Sequence, residues 1–287
     1  MQFVDTEFAR RTESAEEIPQ VRYAQLYQKL RPEIGAAYEQ ICGGHMVFAG
    51  LGSPIGRAIA LGFDGKVFAT DLDRVEEFYR SRGAPAQVDV CPLNDLSLLE
   101  LLKQRGYAIW ELNQVLYRKL DDMGTNNFGL RNAHIRPGKP EEAELFADVV
   151  VRSFFPDGNA PENIREALTA LFRMESALPF IAEMDGRCVS CGAGLIIPEH
   201  RIFALFGAGT LPEFRRRGLQ TAILQTRMAA AASAGCEYAV IVTQGGTTSQ
   251  RNAERLGFRV AYSKATMAKT FAENGTAHRD SAVSHCT

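Results

Sequence analysis

Residues 210–221 read Thr-Leu-Pro-Glu-Phe-Arg-Arg-Arg-Gly-Leu-Gln-Thr, placing three adjacent arginines and a glycine where the apolar run 203–208 gives way to an amphipathic stretch. The order is buried strand, tight turn, helix. The first turn of such a helix carries amides without intrahelical partners and the positive end of the helix dipole, which together suit a pyrophosphate. Gly218 has no side chain to obstruct close approach of phosphates. Arg215, Arg216 and Arg217 add positive charge where the anion would sit.

Two other motifs promise chemistry and deliver less. Cys188-Val-Ser-Cys191 has the spacing of a metal or redox pair. No second ligand pair follows it at zinc-site spacing, and its flanks read as two strands joined at Asp185-Gly186. Residues three apart on a regular strand point to opposite faces, so these thiols are expected to be structural. Gly50, Gly52 and Gly56 look like a dinucleotide loop, with Asp71 lying 21 residues beyond Gly50. The spacing is G-x-G-x-x-x-G, and the helix that should follow is cut off by Gly62-Phe-Asp-Gly65. A hairpin with a Ser-Pro turn is the favoured reading, with NAD(P) binding through 50–56 the lesser alternative.

The elements that must position these residues fall into two series. In the first, an amphipathic helix within 15–42 precedes strands at 45–50 and 59–63, a helix at 73–82, a strand at 86–91, a helix at 95–105 and an alternating strand at 108–120. Asp95 and Gly106 supply the start and stop signals of the third helix. The Gly/Asn-rich stretch 121–132 has little to bury and reads as a linker. After it come a strand at 133–136, helices at 140–153 and 162–174, a hairpin at 180–197, a strand at 202–208, a helix at 219–234, a strand at 238–243, a short helix at 249–256 and a strand at 258–268. Residues 104–120 align weakly with 255–271, each a helix stopped by glycine, an aromatic residue and an alternating strand, which suggests two related halves.

Composition sets the outer bounds. The 287 residues allow two domains, and 46% apolar with 23% charged residues is an ordinary globular balance. A net charge of −2 lacks the basic excess of a bulk nucleic-acid binder. No run approaches the ~18–20 apolar residues of a membrane span, and the N-terminus has no signal-like apolar core. A cytoplasmic protein with six reduced cysteines is expected.

The stretch 203–224 resembles the acetyl-coenzyme A loop of the GCN5-related N-acetyltransferase (GNAT) family, which has the form Arg/Gln-x-x-Gly-x-Gly/Ala after a proline. Pro212, Arg215 and Gly218 match, whereas Gln220 stands where glycine or alanine is usual. Ile135-Arg136-Pro137 is similar to the family's opening strand, and 249–258, ending in Gly257-Phe258, to its closing helix and strand. The resemblance covers 133–271 and implies an α/β (α+β) architecture: a mixed, mostly antiparallel sheet flanked by helices, with splayed parallel central strands. Residues 1–120 look like a degenerate copy without the loop, 121–132 a linker, 133–271 the catalytic domain, and 272–287 a flexible tail. By the same resemblance, acetyl-CoA is held by Thr210, Leu211, Arg215, Arg216, Arg217, Gly218, Leu219, Gln220 and Thr221, and no metal takes part. A primary amine of a small molecule or peptide attacks the thioester directly. Ser249 and Asn252 are candidates to orient the sulfur, and Glu199, with His200 and Glu183 beside it, to act as base. The family's tyrosine acid is replaced by Ala253. A monomer or homodimer is implied, with no nucleic-acid or membrane partner. The competing function is a non-catalytic acyl-CoA-binding or sensing protein.

Overall fold

The computed structural model describes residues 2–123, 130 and 132–271. Most of the expected linker and all of the expected tail therefore lie outside the described residues. In chain order the helices are α1 (Thr6–Leu30), α2 (Ala69–Arg80), α3 (Leu96–Gln104), α4 (Ala143–Phe154), α5 (Glu162–Arg173), α6 (Leu219–Ser233) and α7 (Thr248–Arg255). The strands are β1 (Ala37–Ile41), β2 (Gly44–Phe48), β3 (Ala58–Ile59), β4 (Ala86–Val90), β5 (Ala108–Lys119), β6 (His134–Pro137), β7 (Phe180–Met184), β8 (Arg187–Ile197), β9 (Ile202–Thr210), β10 (Tyr238–Gln244) and β11 (Arg259–Lys269). The mixed, mostly antiparallel sheet flanked by helices is the architecture that the resemblance implies.

The chain forms two compact units. One joins Met1–Val115 to the stretch beginning at Val260, and the other is Leu116–Arg259. This differs from the sequence reading at two places: the division falls inside β5, between Val115 and Leu116, rather than at 121–132, and the last strand changes units. The final strand, expected to close the second half, instead pairs antiparallel with β4, with Ala265 opposite Val90 and Lys269 opposite Ala86. The reason lies in its inward side chains. Tyr262 donates to Glu13 at 2.8 Å, Thr266 donates to Asp89 at 2.6 Å, and Met267 packs in the first unit's core. The two carboxylates among those partners, Glu13 and Asp89, lie on α1 and β4.

In the first unit β1, β2 and β3 run antiparallel in sequence, and β3 meets β4 in parallel at Ala58–Val88. The glycine-rich stretch 50–56 is the loop of the β2–β3 hairpin, with His45 opposite Ile59 and Met46 opposite Ala58. No helix follows it, so the strand–turn–helix cradle of a dinucleotide does not form, and the NAD(P) reading falls. Asp71 is spent on α2, accepting from the Phe68 amide at 2.9 Å. α1 is longer than expected, starts at an Asp5 cap that accepts from Phe8 N at 2.8 Å, and runs through Pro19.

In the second unit the strand order is β6-β7-β8-β9-β10, antiparallel except that β9 and β10 are parallel. The β7–β8 turn is Asp185-Gly186, both with positive φ (51° and 73°), as the hairpin signal required. Here too one expectation is corrected. A bulge leaves Val189 unpaired between Ala182–Ser190 and Glu183–Cys188. The alternation is thereby reset, and Cys188 and Cys191 lie in the same core cluster rather than on opposite faces. They remain free thiols, and burial pushes Cys188 up to about 12 and Cys191 well above the ordinary value. No helix among the described residues is long and apolar enough to cross a membrane.

Candidate active site

Parallel strands β9 and β10 pair from Ile202–Tyr238 to Leu205–Ile241 and no further. Strand β9 continues to Thr210 and β10 to Gln244, so residues 206–210 present an edge that β10 does not cover. At ~3.3 Å per residue, Phe206 to Thr210 offers roughly 13 Å of such edge. A register shift on the opposite edge, between Cys191–Gly209 and Ala193–Phe206, gives β9 a bulge at Gly207, which has φ +54°.

The open edge leads into the arginine turn. After β9 the chain makes a short turn of helix, Pro212–Phe214, then passes Arg216 at φ 62° and Gly218 at φ 79° before α6 begins. Left-handed Gly218 followed by right-handed Leu219 aims successive amides into one concavity, a form that favours an anion. The first backbone bond of α6 is Ala222 N to Gly218 O at 3.0 Å, and no side chain caps the helix. The amides of Leu219, Gln220 and Thr221 therefore have no partner within α6. By contrast α7 is capped by Thr247, whose side chain accepts from Gln250 N. Of the helices that end at the opening, the one left uncapped is the one behind the arginines.

The nine residues expected to hold the cofactor divide by what they touch. Arg216 and Gly218 shape the concavity, and both are exposed. Arg217 stacks 5.1 Å over the Phe214 ring, leaving its charge at the loop surface. Arg215 turns inward, donating Nε to Thr210 O at 3.4 Å and Nη2 to the Ser153 carbonyl at the end of α4, so it braces the loop against that helix. Gln220 does not obstruct the turn: Thr210 Oγ1 donates to its Oε1 at 3.4 Å, and the same hydroxyl lies 2.7 Å from Ser190 Oγ. Leu219 anchors α6 in a small core with Val189 and Ile223. Thr210 turns its own amide toward the open edge, because the Leu211 amide on the next peptide points to β8. Leu211 differs: its amide donates to Val189 O at 3.0 Å, its carbonyl accepts from Phe214 N at 2.9 Å and its side chain is buried, so unlike Thr210 it turns no amide to the open edge.

Ser249 and Asn252 lie half-buried on α7, directly after the uncovered end of β10. Glu199 is not brought to them. It sits in the exposed turn Pro198–His200 before β9 starts, at the paired end of the strand, because the β8–β9 connection must lie opposite the loop that leaves β9 at Thr210. His200 shares that turn. Glu183 is at the other end of the sheet but is committed to Arg136 at 2.5 Å, which also holds Glu142 at 2.6 Å. Ala253 is fully buried among Leu116, Leu256 and Phe258, so position 253 faces the core rather than the opening. A residue the sequence reading passed over is Arg227 of α6, wholly buried between Ile223 and Ala231 on the helix's inward stripe. A charged residue at the centre of an apolar i, i+4 series was the signal.

Residues 145–258 match the family model described as Acetyltransferase (GNAT) family. Residues 145–258 form a GNAT domain. Among solved structures the chain is similar in fold to a GCN5-related N-acetyltransferase from Kribbella flavida, with a TM-score of 0.63 at 17% identity over 89% of this chain and 96% of that one. A GCN5-related N-acetyltransferase from Sphaerobacter thermophilus gives 0.52 at 19% identity, over 69% and 66% of the two chains. A tandem GNAT protein from the clavulanic acid biosynthesis pathway gives 0.58 at 11% identity, over 81% and 82%. At these identities the likeness is one of fold. No curated protein matches the chain. Within residues 145–258, the open edge of β9 runs on through the arginine turn to the uncapped start of α6.

Proposed function

We propose that the GNAT domain transfers an acetyl group from acetyl-CoA to a primary amine of a small molecule or peptide by direct attack. The observation that carries this reading is the parting of β9 from β10 beyond Leu205–Ile241, continuous with the uncapped start of α6. The pyrophosphate meets the amides of residues 219–221 and the charges of Arg216 and Arg217. The pantetheine arm lies along 206–210 as an added strand and brings the thioester to the point where β9 and β10 part.

Ser249 and Asn252, on the helix that follows the open end of β10, orient the leaving sulfur directly or through water. With Glu199 at the far end of β9 and Glu183 held by Arg136, the amine loses its proton to solvent-mediated base catalysis. The buried free cysteines support a reducing, cytoplasmic setting. Thermal shift with acetyl-CoA, followed by free-thiol release across a panel of amines, tests the reading. Absence of both the thermal shift and thiol release would sink it.

One observation favours a second reading, a non-catalytic acyl-CoA sensor. Ala253 faces the core, so the acid that the family draws from this position has no route to the sulfur. Tight binding without thiol release from any amine would select it.

A further inference from the structure

Arg227 is a buried cation without a counterion. Its side chain is fully enclosed, and no carboxylate pairs with it among the described residues. Its contacts are backbone: Nη1 donates to Ala193 O at 2.5 Å and to Phe206 O at 3.4 Å, while Nε finds no acceptor. Burying a guanidinium this way is strongly unfavourable, and packing alone would be better served by a leucine or methionine. The protein also reserves the space. A Cβ on Gly192 would lie 2.7 Å from Cζ of Arg227, so position 192 has been kept bare for the guanidinium. Desolvation pushes the guanidinium down to about 10, which still leaves it charged at neutral pH.

Its position gives the charge a use. The guanidinium joins a β8 carbonyl to a β9 carbonyl at the bulge, between Cys191–Gly209 and Ala193–Phe206. Phe206 is the first residue of β9 beyond the last β10 pair, Leu205–Ile241. Because a trans peptide sends its C=O and N–H in opposite directions, a Phe206 carbonyl aimed at Arg227 aims the Gly207 amide away from β8, toward the open edge. We propose that Arg227 is a positioning residue for acetyl transfer, its buried guanidinium polarising the Phe206–Gly207 peptide so that the Gly207 amide stabilises negative charge on the thioester oxygen.

The step balances without an outside reagent. The amine nitrogen forms the C–N bond with its lone pair, and the carbonyl pair moves to oxygen beside Gly207 N–H. That pair then returns as the C–S bond breaks, and the proton lost by the amine ends on the sulfur. Oxyanion donors act by being fixed before the reaction begins, and a dry cation behind the donor strengthens it without moving. This inference rests on acetyl-CoA being the ligand of the open edge.

The test uses acetyl-CoA labelled with ¹³C at its carbonyl and bound to the full chain. Isotope-edited infrared spectroscopy reads the carbonyl stretch, and thermal shift reads binding. In wild type the stretch falls below that of free acetyl-CoA. Arg227→Met returns it toward the free value with the thermal shift retained, and slows thiol release roughly ten-fold, less than the ~100–1,000-fold of deleting a direct donor. Arg227→Lys, which keeps a buried charge should the methionine variant not fold, lies between. A bound stretch unchanged by either variant overturns the role of Arg227 while leaving acetyl-CoA binding standing. A wild type with neither thermal shift nor bound carbonyl signal overturns the acetyl-CoA reading, and this inference with it.

Discussion

Lys264 Nζ lies 3.1 Å from Asp89 Oδ2, and neither side chain exposes more than 1% of its surface. The pair joins β11 to β4, two strands brought together from opposite ends of the sequence. Lys264 also meets Glu13 at 3.2 Å and Glu16, while Arg57 adds a second cation 3.4 Å from Asp89. Burial pushes Asp89 up, but Lys264 and Arg57 outweigh it and hold the carboxyl below its ordinary value.

Removing the cation leaves buried charge without compensation. Lys264→Met is expected to destabilise the first unit by about 3–5 kcal/mol, read by chemical denaturation. Glu13→Gln should cost less, because burial pushes the Glu13 carboxyl up and Lys264 keeps Glu16 and Asp89 as partners. A lysine variant as stable as wild type would mean the cluster does not hold β11.

At the loop, Gly218→Val should abolish the thermal shift produced by acetyl-CoA. Gly218 sits at φ 79° with Leu130 Cδ2 3.4 Å from where a Cβ would be, and a β-branched residue is poorly suited to that conformation. Leaving the left-handed region re-aims the amides of 219–221. Gly218→Ala is milder, at about 1–2 kcal/mol of strain. Retention of the full shift by the valine variant counts against this loop as the phosphate site.

On α7, Ser249→Ala and Asn252→Ala should lower turnover about 100-fold, the lower end of the range for lost proton-transfer contacts, with acetyl-CoA binding unchanged. Ala253→Tyr should not supply an acid. Position 253 is packed against Phe258, and overpacking of this kind costs about 1–3 kcal/mol or more. Steady-state kinetics with a reactive amine, beside thermal denaturation, separates the two effects. A faster Ala253→Tyr enzyme would show that 253 reaches the opening after all.

Acid sensitivity has a named contributor. The Arg136 guanidinium holds Glu142 at about 2 against an ordinary value of 4.5. A depressed carboxylate stabilises the fold fully above its unfolded value and loses that contribution as pH falls through the folded one. Unfolding temperature should therefore drop from pH 4.5 toward pH 2, and Glu142→Gln should flatten that stretch of the curve. Parallel curves for the two proteins would remove Glu142 from the account.

The thiols of Cys188 and Cys191 should resist alkylation in the native protein and react on unfolding, because the thiolate is the reactive form and burial disfavours it. Peptide mass spectrometry after pulse labelling reads this directly. Prompt labelling of either in folded protein would contradict their burial.

By itself the sequence determined the local elements and the cradle. Asp95 capping α3, Asp185-Gly186 turning the hairpin, and an arginine–glycine turn between β9 and α6 all act over a few residues, where propensity and capping decide the outcome. Tertiary structure decided what depends on distant partners. It placed β11 beside β4 rather than with the half it follows, because Glu13 and Asp89 are where Lys264 can be neutralised. The bulge at Val189 reset the alternation and gathered Cys188 and Cys191 on one side. Leu211 lost its amide to Val189, Glu199 was left at the wrong end of its strand, and Arg227 was buried against a carbonyl at the head of the opening. Pairing register and burial are sums over contacts between residues far apart in the chain, and no short window of sequence holds both members of such a contact.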